Sequence, residues 1–388
     1  MHITAKHDGS PRRTIDYQAI NAVSPRQTHH THTPWHIVST IPAGQRKSCF
    51  DAFHGYHSLK LASEEDKNVT TFITEWGNFR YKTCPQGFLS AGDAYTNRMD
   101  RLLQDMERQR RCVDDTLLYD STIEQAFYRA GKFLETCGNN GIILNPKKFK
   151  FAESEVDFLG FTITDSGIKP TSEFLSNIMN FPTPTNLTDV RSWYGLVAQV
   201  SYAFASSSVM LPFRHLLSSK TPFSWSPDLE AAFIESKKEV VRQCEAGVRS
   251  FDPSLPTAVA TDWCKTGMGV WLTQKRCKCD VVKPGCCPMG WQTIFVGSRF
   301  CNGAESRYAP ICGEATAAAW GVEKCRFFLM GLDNFFLCLD HRPLIKIFSS
   351  STELGNIPNP RLYSQKEKLL PYHFTPIYIP GKDHVTPD

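Results

Sequence analysis

Long apolar runs are missing from this chain of 388 residues. No stretch approaches the roughly 18 uninterrupted apolar residues of a membrane-spanning helix, and the first 30 residues lack the apolar segment of a secretory leader. We therefore expect no membrane span, no membrane partner and no secretion. In a reducing compartment the 14 cysteines would be mostly thiols, and a regular cysteine spacing would indicate metal rather than disulfides.

An excess of charge of one sign is also missing, as are internal repeats and low-complexity tracts. The chain has 43 basic and 39 acidic residues, a net charge of +4, so composition alone indicates no partner. A hydrophobic content of 41% with 21% charged residues is typical of a folded globular protein. This length predicts about two or three domains.

The most informative motif is the adjacent pair Asp114 and Asp115, which the pattern places at the tip of a hairpin. Asp51 stands at the predicted end of an earlier buried strand. Crowded carboxylates repel one another unless a cation lies between them. Three such groups at one sheet edge would suit two magnesium ions and in-line phosphoryl transfer. Taken alone, the pair is also compatible with an ordinary acidic turn.

Four further residues are candidates for contacts with a nucleotide. Lys6 and Arg12 flank a Gly-containing turn, and cationic donors suit a triphosphate. Gln86 lies in the rigid Pro-Gln-Gly turn, with its amide near the expected cleft. Tyr56 follows Asp51 closely in the chain.

A second acidic set lies near the C-terminal end. Asp262 and Asp340 each stand at a predicted strand end, and Glu314 lies in a helical run. Acids at strand ends that face a helical acid make another two-metal site. Each acid alone could equally be a solvated or capping carboxylate.

Four cysteines are close in sequence around a Pro-Gly turn: Cys277, Cys279, Cys286 and Cys287. Four thiolates satisfy tetrahedral zinc, although the spacing is not that of a standard zinc finger. Zinc, reduced thiols and disulfides all remain open. Five other cysteines are predicted to be small buried apolar groups: Cys264, Cys301, Cys312, Cys325 and Cys338.

These motifs occur in a recognisable series. The blocks are Asp16–Asn21, Phe50–His57, Pro85–Phe88, Val113–Asp115, Leu144–Phe149, Phe158–Phe161 and Gly167-Ile168. In order and spacing the series resembles the reverse transcriptase of gypsy-class LTR retrotransposons, over nearly the whole chain. The second acidic set resembles the RNase H domain that follows the polymerase in these elements.

The resemblance implies a multidomain chain of α+β and α/β class. A right-hand polymerase with fingers, palm and small thumb would precede an RNase H-like domain. We expect fingers and palm at 1–170, truncated N-terminally, and thumb and connection helices at 171–250. An RNase H-like domain truncated C-terminally would occupy 251–388.

The resemblance also implies roles for individual residues. Asp51, Asp114 and Asp115 would bind two Mg²⁺ (or Mn²⁺) ions. Lys6 and Arg12 would contact the incoming dNTP, Tyr56 would exclude the ribose 2′-hydroxyl, Gln86 would touch nucleotide or template, and Phe158-Leu159-Gly160 would be the primer grip. Asp262, Glu314, Asp340 and Asp388 would bind the RNase H metals. Because Asp388 is the last residue, we expect weak RNase H activity.

The implied partners are an RNA template, a DNA primer, an RNA–DNA hybrid, dNTPs and the protease and integrase segments of a polyprotein. The implied location is a cytoplasmic virus-like particle, with nuclear access left open. The chain departs from the family at Cys112, where an aromatic residue is usual, and at Arg108, Arg110 and Arg111, which should weaken or shorten the strand before the aspartate pair. A decayed or host-adopted nucleic-acid-binding remnant is therefore the main alternative, and a nuclease or integrase-type enzyme is a second.

Overall fold

The computed structural model describes residues 2–5, 9, 11–217 and 222–381. The chain divides into two compact units, Met1–Asp165 and Ser166–Asp388. No helix among the described residues is long and apolar enough to cross a bilayer. The division at 170 and 250 into three parts stays a prediction.

The first unit contains an antiparallel sheet with strand order β6-β7-β3-β8. The strands of this unit are β1 (His2–Ala5), β2 (Pro11–Thr14), β3 (Arg46–Asp51), β4 (Phe72–Thr74), β5 (Gly77–Phe79), β6 (Gln109–Cys112), β7 (Asp115–Asp120), β8 (Lys150–Glu153), β9 (Val156–Phe158) and β10 (Phe161–Ile163). The helices are α1 (Gln18–Val23), α2 (Pro34–Ser39), α3 (Glu64–Val69), α4 (Ala91–Leu102) and α5 (Ile123–Asn139).

The core of this unit lies between the sheet and helices α4 and α5. Phe50 on β3 and Leu118 on β7 pack with Tyr95 and Met99 of α4 and with Phe133 of α5, all fully or nearly fully buried. Burial of side chains this large is the main stabilising contribution to the unit. The packed helices hold the ends of β3 and β7 in place, and those ends carry the first acidic set.

The early hairpin is shorter than the sequence pattern predicts. The alternation of apolar residues predicts strands over 69–74 and 79–83, whereas the structure has β4 and β5 only. Ser63 and Asp66 form a capping box that begins α3, so Val69 ends a helix instead of starting a strand. The capping signal outweighs the apolar alternation here because it satisfies the first free amides of the helix.

The second unit contains a five-stranded mixed sheet with strand order β15-β14-β13-β16-β17. The strands are β11 (Gly167–Pro170), β12 (Val248–Arg249), β13 (Thr257–Trp263), β14 (Gly267–Lys275), β15 (Trp291–Phe300), β16 (Phe335–Leu339) and β17 (Phe374–Tyr378). The helices are α6 (Ser172–Met179), α7 (Leu187–Gln199), α8 (Ser206–Met210), α9 (Pro227–Ala246), α10 (Pro310–Lys324), α11 (Arg326–Leu329), α12 (Arg342–Phe348) and α13 (Pro360–Leu369).

Ser226, Pro227 and Gly247 are sequence signals that predict both ends of helix α9, and the helix has those ends. The Ser226 hydroxyl accepts a hydrogen bond from the Leu229 amide at 3.2 Å, Pro227 is the first helical residue, and Gly247 follows the last one with a φ of 62°. Buried Phe233 of α9 packs edge-on against Trp193 of α7, with ring centroids 5.2 Å apart. This aromatic contact joins the helices that precede the mixed sheet.

Candidate active sites

The first acidic set is brought together by strand pairing. Asp51, the last residue of β3, is the direct cross-strand partner of Asp115, the first residue of β7. Asp114 lies in the two-residue turn that joins β6 to β7, since Cys112 pairs with Asp115. Carboxylates that are about 60 residues apart in the sequence therefore lie at one sheet edge.

The turn before the pair has an unusual backbone. Val113 adopts a φ of 51°, a left-handed conformation that is a genuine outlier for a β-branched residue. Such strain costs on the order of 1–3 kcal/mol and persists only where the surrounding structure imposes it. This conformation comes directly before Asp114 in the chain, and the strand propensity of valine gives no signal for it.

Asp114 is packed against Gly55 and Tyr95. A Cβ at Gly55 would collide with Asp114 Oδ1 and would lie 2.9 Å from the Tyr95 ring. Oδ1 itself is buried and accepts no hydrogen bond from any described residue. Burying a carboxylate oxygen without a hydrogen-bond partner costs free energy. A bound cation would remove this cost, so the arrangement is typical of a cation ligand. Sequence reasoning did not single out Gly55, although its place beside Tyr56 in the Phe50–His57 block was visible.

The electrostatics of this edge favour a cation. Burial, followed by the charges of Asp115 and Asp51, raises the pKa of Asp114 to about 6. Burial and Asp51 also raise the pKa of Asp115. The ammonium of Lys148 pairs with Asp51, and this hydrogen bond raises the pKa of Lys148. Lys148 thus supplies part of the positive charge that the acids require, a pairing across the unit that the sequence did not reveal.

Strand β6, which contains Arg110 and Arg111, forms despite these charged residues. It has four residues, whereas its partner β7 has six. Arg111 pairs with Asp100 of α4, and Arg110 lies over the Tyr119 ring, 5.3 Å from its centroid. Both arginines therefore have partners that hold them against the unit.

The predicted nucleotide-binding residues are only partly described. Tyr56 is half-buried next to the acidic edge and meets Tyr95 edge-on, with centroids 5.9 Å apart. Gln86 is half-buried in a turn whose next residue, Gly87, has a φ of 94°. Lys6 lies outside the described residues, and of Arg12 the structure describes the backbone, in β2, but not the side chain.

The predicted primer grip is a tight hairpin turn between β9 and β10. Phe158 and Phe161 are cross-strand partners, and Leu159 and Gly160 between them have φ values of 55° and 84°. Positive φ at both central residues is the pattern of a type I′ turn. The turn places Leu159 at the tip of this short hairpin.

The second acidic set is more compact. β13 and β16 are parallel neighbours with Ala260 opposite Cys338, so Asp262 and Asp340 leave the same edge of the sheet. Glu314 comes from α10, and one carboxylate oxygen of each acid lies within 4.8 Å of the others. In the part of the chain that the structure describes, the three acids of the first set do not form so tight a group.

Helix α10 approaches the sheet closely because glycines face it. A Cβ at Gly313 would lie 2.6 Å from a ring carbon of Trp263, and one at Gly321 would lie 2.6 Å from a methyl carbon of Thr261. Ala317, fully buried, occupies the turn between them. This stripe of small residues brings Glu314 down to the strand ends.

Glu314 has the most perturbed electrostatics of the set. Burial, followed by the charges of Asp340 and Asp262, raises the pKa of Glu314 to about 9. Glu314 Oε2 and Asp340 Oδ1 are buried and have no hydrogen-bond partner among the described residues. The ligand atoms are therefore all oxygens, and they are crowded, with one buried and unpartnered oxygen on Glu314 and one on Asp340 in the described part of the chain, which fits a divalent cation. The fourth predicted acid, Asp388, lies outside the described residues.

The four clustered cysteines lie in the segment between β14 and β15, with their Sγ atoms within 4.8 Å of one another. Of the five cysteines predicted to be buried, four are buried. The prediction is wrong for Cys264, which is exposed at the turn after β13, because a strand end offers less cover than a strand centre.

The fold and the two acidic sites define a polymerase palm joined in one chain to an RNase H-like domain. Residues 4–163 match the family described as reverse transcriptase (RNA-dependent DNA polymerase), and residues 252–372 match the RNase H-like domain found in reverse transcriptase. The chain therefore contains a region that matches a reverse transcriptase domain, followed by a region that matches an RNase H-like domain. Domains of both kinds generally depend on divalent metal.

Similarity to curated proteins covers nearly the whole chain. The Retrovirus-related Pol polyprotein from transposon 412 of Drosophila melanogaster is 26% identical over 97% of this chain and 29% of the relative. The corresponding protein from transposon 297 of the same organism is 23% identical, with 97% and 34% covered. Polyprotein P3 of Commelina yellow mottle virus is 24% identical, with 90% and 18% covered. The chain thus spans about a third of the transposon relatives, which confirms the predicted gypsy-class polyprotein region.

Solved structures confirm the fold class. The foamy viral protease-reverse transcriptase dRH, in complex with double-stranded DNA, matches with a TM-score of 0.80 and 20% identity over 97% of this chain and 64% of that chain. The foamy viral protease-reverse transcriptase in complex with an RNA/DNA hybrid matches with a TM-score of 0.75 and 20% identity, over 99% and 50%. At this identity the likeness concerns the fold.

Proposed function

We propose that this chain copies RNA and DNA templates into DNA and that its second unit hydrolyses the RNA strand of a hybrid. One observation carries the polymerase proposal. Asp51 and Asp115 are cross-strand partners, and the buried oxygen of Asp114 beside them has no hydrogen-bond partner among the residues that the structure describes. A structural acidic turn would expose its carboxylate oxygens to water, whereas this turn buries one oxygen of Asp114 against Gly55.

Asp51, Asp114 and Asp115 would hold magnesium, with manganese as the substitute. Bound there, the metal would lower the pKa of the primer 3′-hydroxyl and neutralise charge on the triphosphate. The chain's own contribution is to hold three charged groups at one rigid strand edge. The Lys148 ammonium partly neutralises the charge of Asp51 when substrate is absent. The negative charges of Asp114 and Asp115 also act on this ammonium.

We assign substrate positioning to residues around that edge. Tyr56, held by its edge-on contact with Tyr95, would exclude a ribose 2′-hydroxyl by steric contact. Gln86 would touch the nucleotide or template. Leu159, at the tip of the β9–β10 turn, would contact the primer. Lys6 and Arg12 would bind the triphosphate.

In the second unit, Asp262, Glu314 and Asp340 would hold the metal for RNA hydrolysis, with Asp388 as the fourth ligand. Glu314 keeps its proton at neutral pH because burial raises its pKa to about 9. Metal binding must therefore displace a proton from Glu314 to solvent. The occupancy of this site should depend on pH more steeply than that of the first site.

We further propose that the chain works on a DNA primer with an RNA template, on the resulting hybrid and on dNTPs, next to protease and integrase segments of a polyprotein. Support comes from the foamy viral proteins, which were solved with double-stranded DNA and with an RNA/DNA hybrid. A cytoplasmic virus-like particle is the proposed location.

Primer extension tests the polymerase proposal. The wild-type chain should extend a DNA primer on RNA and DNA templates with Mg²⁺ or Mn²⁺, and Asp114→Asn should abolish extension. Asp105→Asn is the matched control, because Asp105 is an exposed aspartate in a turn of the same unit. Hybrid binding by the wild-type chain without extension would contradict the proposal and favour a binding remnant. RNA cleavage without nucleotide incorporation would favour a nuclease.

A further inference from the structure

The cysteine cluster lies in a long segment that has no regular structure. Residues 276–290 connect β14 to β15 without a helix or strand. Loops of this length within a compact unit are uncommon and usually functional. The segment has no apolar core of its own, because Val281, Val282 and Met289 are 63%, 48% and 82% exposed. The side chains that converge inside the segment are the four cysteines.

The four sulfurs form one group of the size that a metal ion requires. All four Sγ atoms lie within 4.8 Å of one another, and those of Cys277 and Cys286 are 3.4 Å apart. Four thiolates at about 2.3 Å from one tetrahedral zinc ion lie about 3.8 Å from one another. Disulfide-bonded sulfurs would be about 2.05 Å apart, and all four cysteines are free.

The surrounding backbone is shaped for this group. Gly290 lies against it, and a Cβ there would be 2.5 Å from Cys287 Sγ and 2.8 Å from Cys277 Sγ. The Lys275 ammonium donates hydrogen bonds to the carbonyls of Cys277 and Cys279, at 3.2 and 2.6 Å. Four thiolates around Zn²⁺ leave a net charge of about −2, which a nearby ammonium stabilises.

We propose that Cys277, Cys279, Cys286 and Cys287 bind one structural zinc ion that orders the β14–β15 connection. Binding releases the thiol protons to solvent and involves no redox step. The site is separate from the acids of the second unit. Lys275 pairs with Trp291 at one end of the sheet, whereas Asp262 lies opposite Gly269, about 20 Å away along β14. Zinc binding at these cysteines is independent of the proposed catalytic function.

Metal content tests the site directly. The wild-type chain, purified without chelator, should contain about one zinc ion per chain by elemental analysis. Cys279→Ser and Cys286→Ser should lose it, and Gly290→Ala should hold it more weakly. Cys264→Ser is the control that keeps it, since Cys264 is the exposed cysteine outside the cluster. Zinc that persists in an Asp114→Asn/Glu314→Gln double variant would support binding by the cysteines rather than by the acids.

A second measurement covers variants that fail to fold. Co²⁺ added to metal-free wild-type chain should give the visible and near-ultraviolet absorption of tetrahedral cobalt thiolate, and added zinc should remove it. Trypsin should cleave after Lys278 at least about tenfold faster in the chelated protein, because zinc closes the segment. Wild-type chain without zinc and without the cobalt spectrum, or with the four sulfurs in disulfides, would overturn the proposal.

Discussion

Replacing Glu314 by Gln should stabilise the metal-free protein and remove the proposed RNase H activity. Glu314 is 7% exposed and faces two other acids. Burial and those acids raise its pKa from 4.5 to about 9. Between these two values the folded chain keeps a proton that the unfolded chain releases, so stability falls as pH rises.

The magnitude follows from the proton uptake. At pH 7 the pH is about 2.5 units above the pKa of this carboxyl in the unfolded chain. Keeping the carboxyl protonated in the folded chain therefore lowers the free energy of unfolding by about 3 kcal/mol. Partial water access lowers the expected effect to about 1–3 kcal/mol. Gln has the same shape and does not titrate, so it avoids this penalty. The stability that Glu314→Gln gains over the wild-type chain should vanish near pH 4.5 and increase up to about pH 9.

Native-state hydrogen exchange of the α10 amides, measured in chelator, gives the opening free energy of this unit. Glu314→Gln should slow exchange at pH 7 and flatten its dependence on pH after correction for intrinsic rates. Glu367→Gln, an exposed glutamate on α13 of the same unit, should change neither. A Glu314→Gln protein that is equally stable or less stable across this pH range would refute the reasoning.

Three other changes test separate parts of the structure. Because the pKa of Asp114 is about 6, the apparent affinity for Mg²⁺ in primer extension should fall up to about tenfold per pH unit below pH 6; an affinity that does not depend on pH would contradict this. Leu159→Asn should raise the stability of the first unit by about 0.5–1 kcal/mol in thermal unfolding, because Asn tolerates positive φ; a lower Tm would argue against strain at the turn. Gly313→Ala should destabilise the second unit by about 1–3 kcal/mol through collision with Trp263 and reduce hybrid cleavage, whereas Gly303→Ala, where a Cβ meets nothing within 4 Å, should be neutral in both measurements.

Local signals in the sequence predicted the elements that carry the sites. The capping Ser226 and the terminal Gly247 predicted α9 at both ends, and both are observed. The sequence pattern predicted a hairpin with Asp114 and Asp115 at its tip, and the structure has that hairpin. Such features were predictable because neighbouring residues determine them.

Features that depend on contacts between distant residues were not predictable. Lys148 pairs with Asp51, which lies far away in the chain, and no local pattern in the sequence indicates that pairing. Val113 favours strands by its residue type, and its positive φ is imposed by packing around the turn. The small residues of α10 that bring Glu314 to the sheet give no sequence signal of their role. The role is visible only in the structure, where β13 packs against them. The cysteine motif was compatible with three chemistries, and only the convergence of the sulfurs favours one of them.

The central claim is that two separate acidic sites, one in each unit, bind metal for two different reactions. Asp114→Asn and Glu314→Gln, assayed side by side with Mg²⁺ on one RNA–DNA hybrid, test it most directly. Asp114→Asn should lose primer extension by about a hundredfold or more and keep whatever RNA cleavage the wild-type chain shows, and Glu314→Gln should do the reverse. Loss of both activities in either variant, with the fold intact, would contradict the claim.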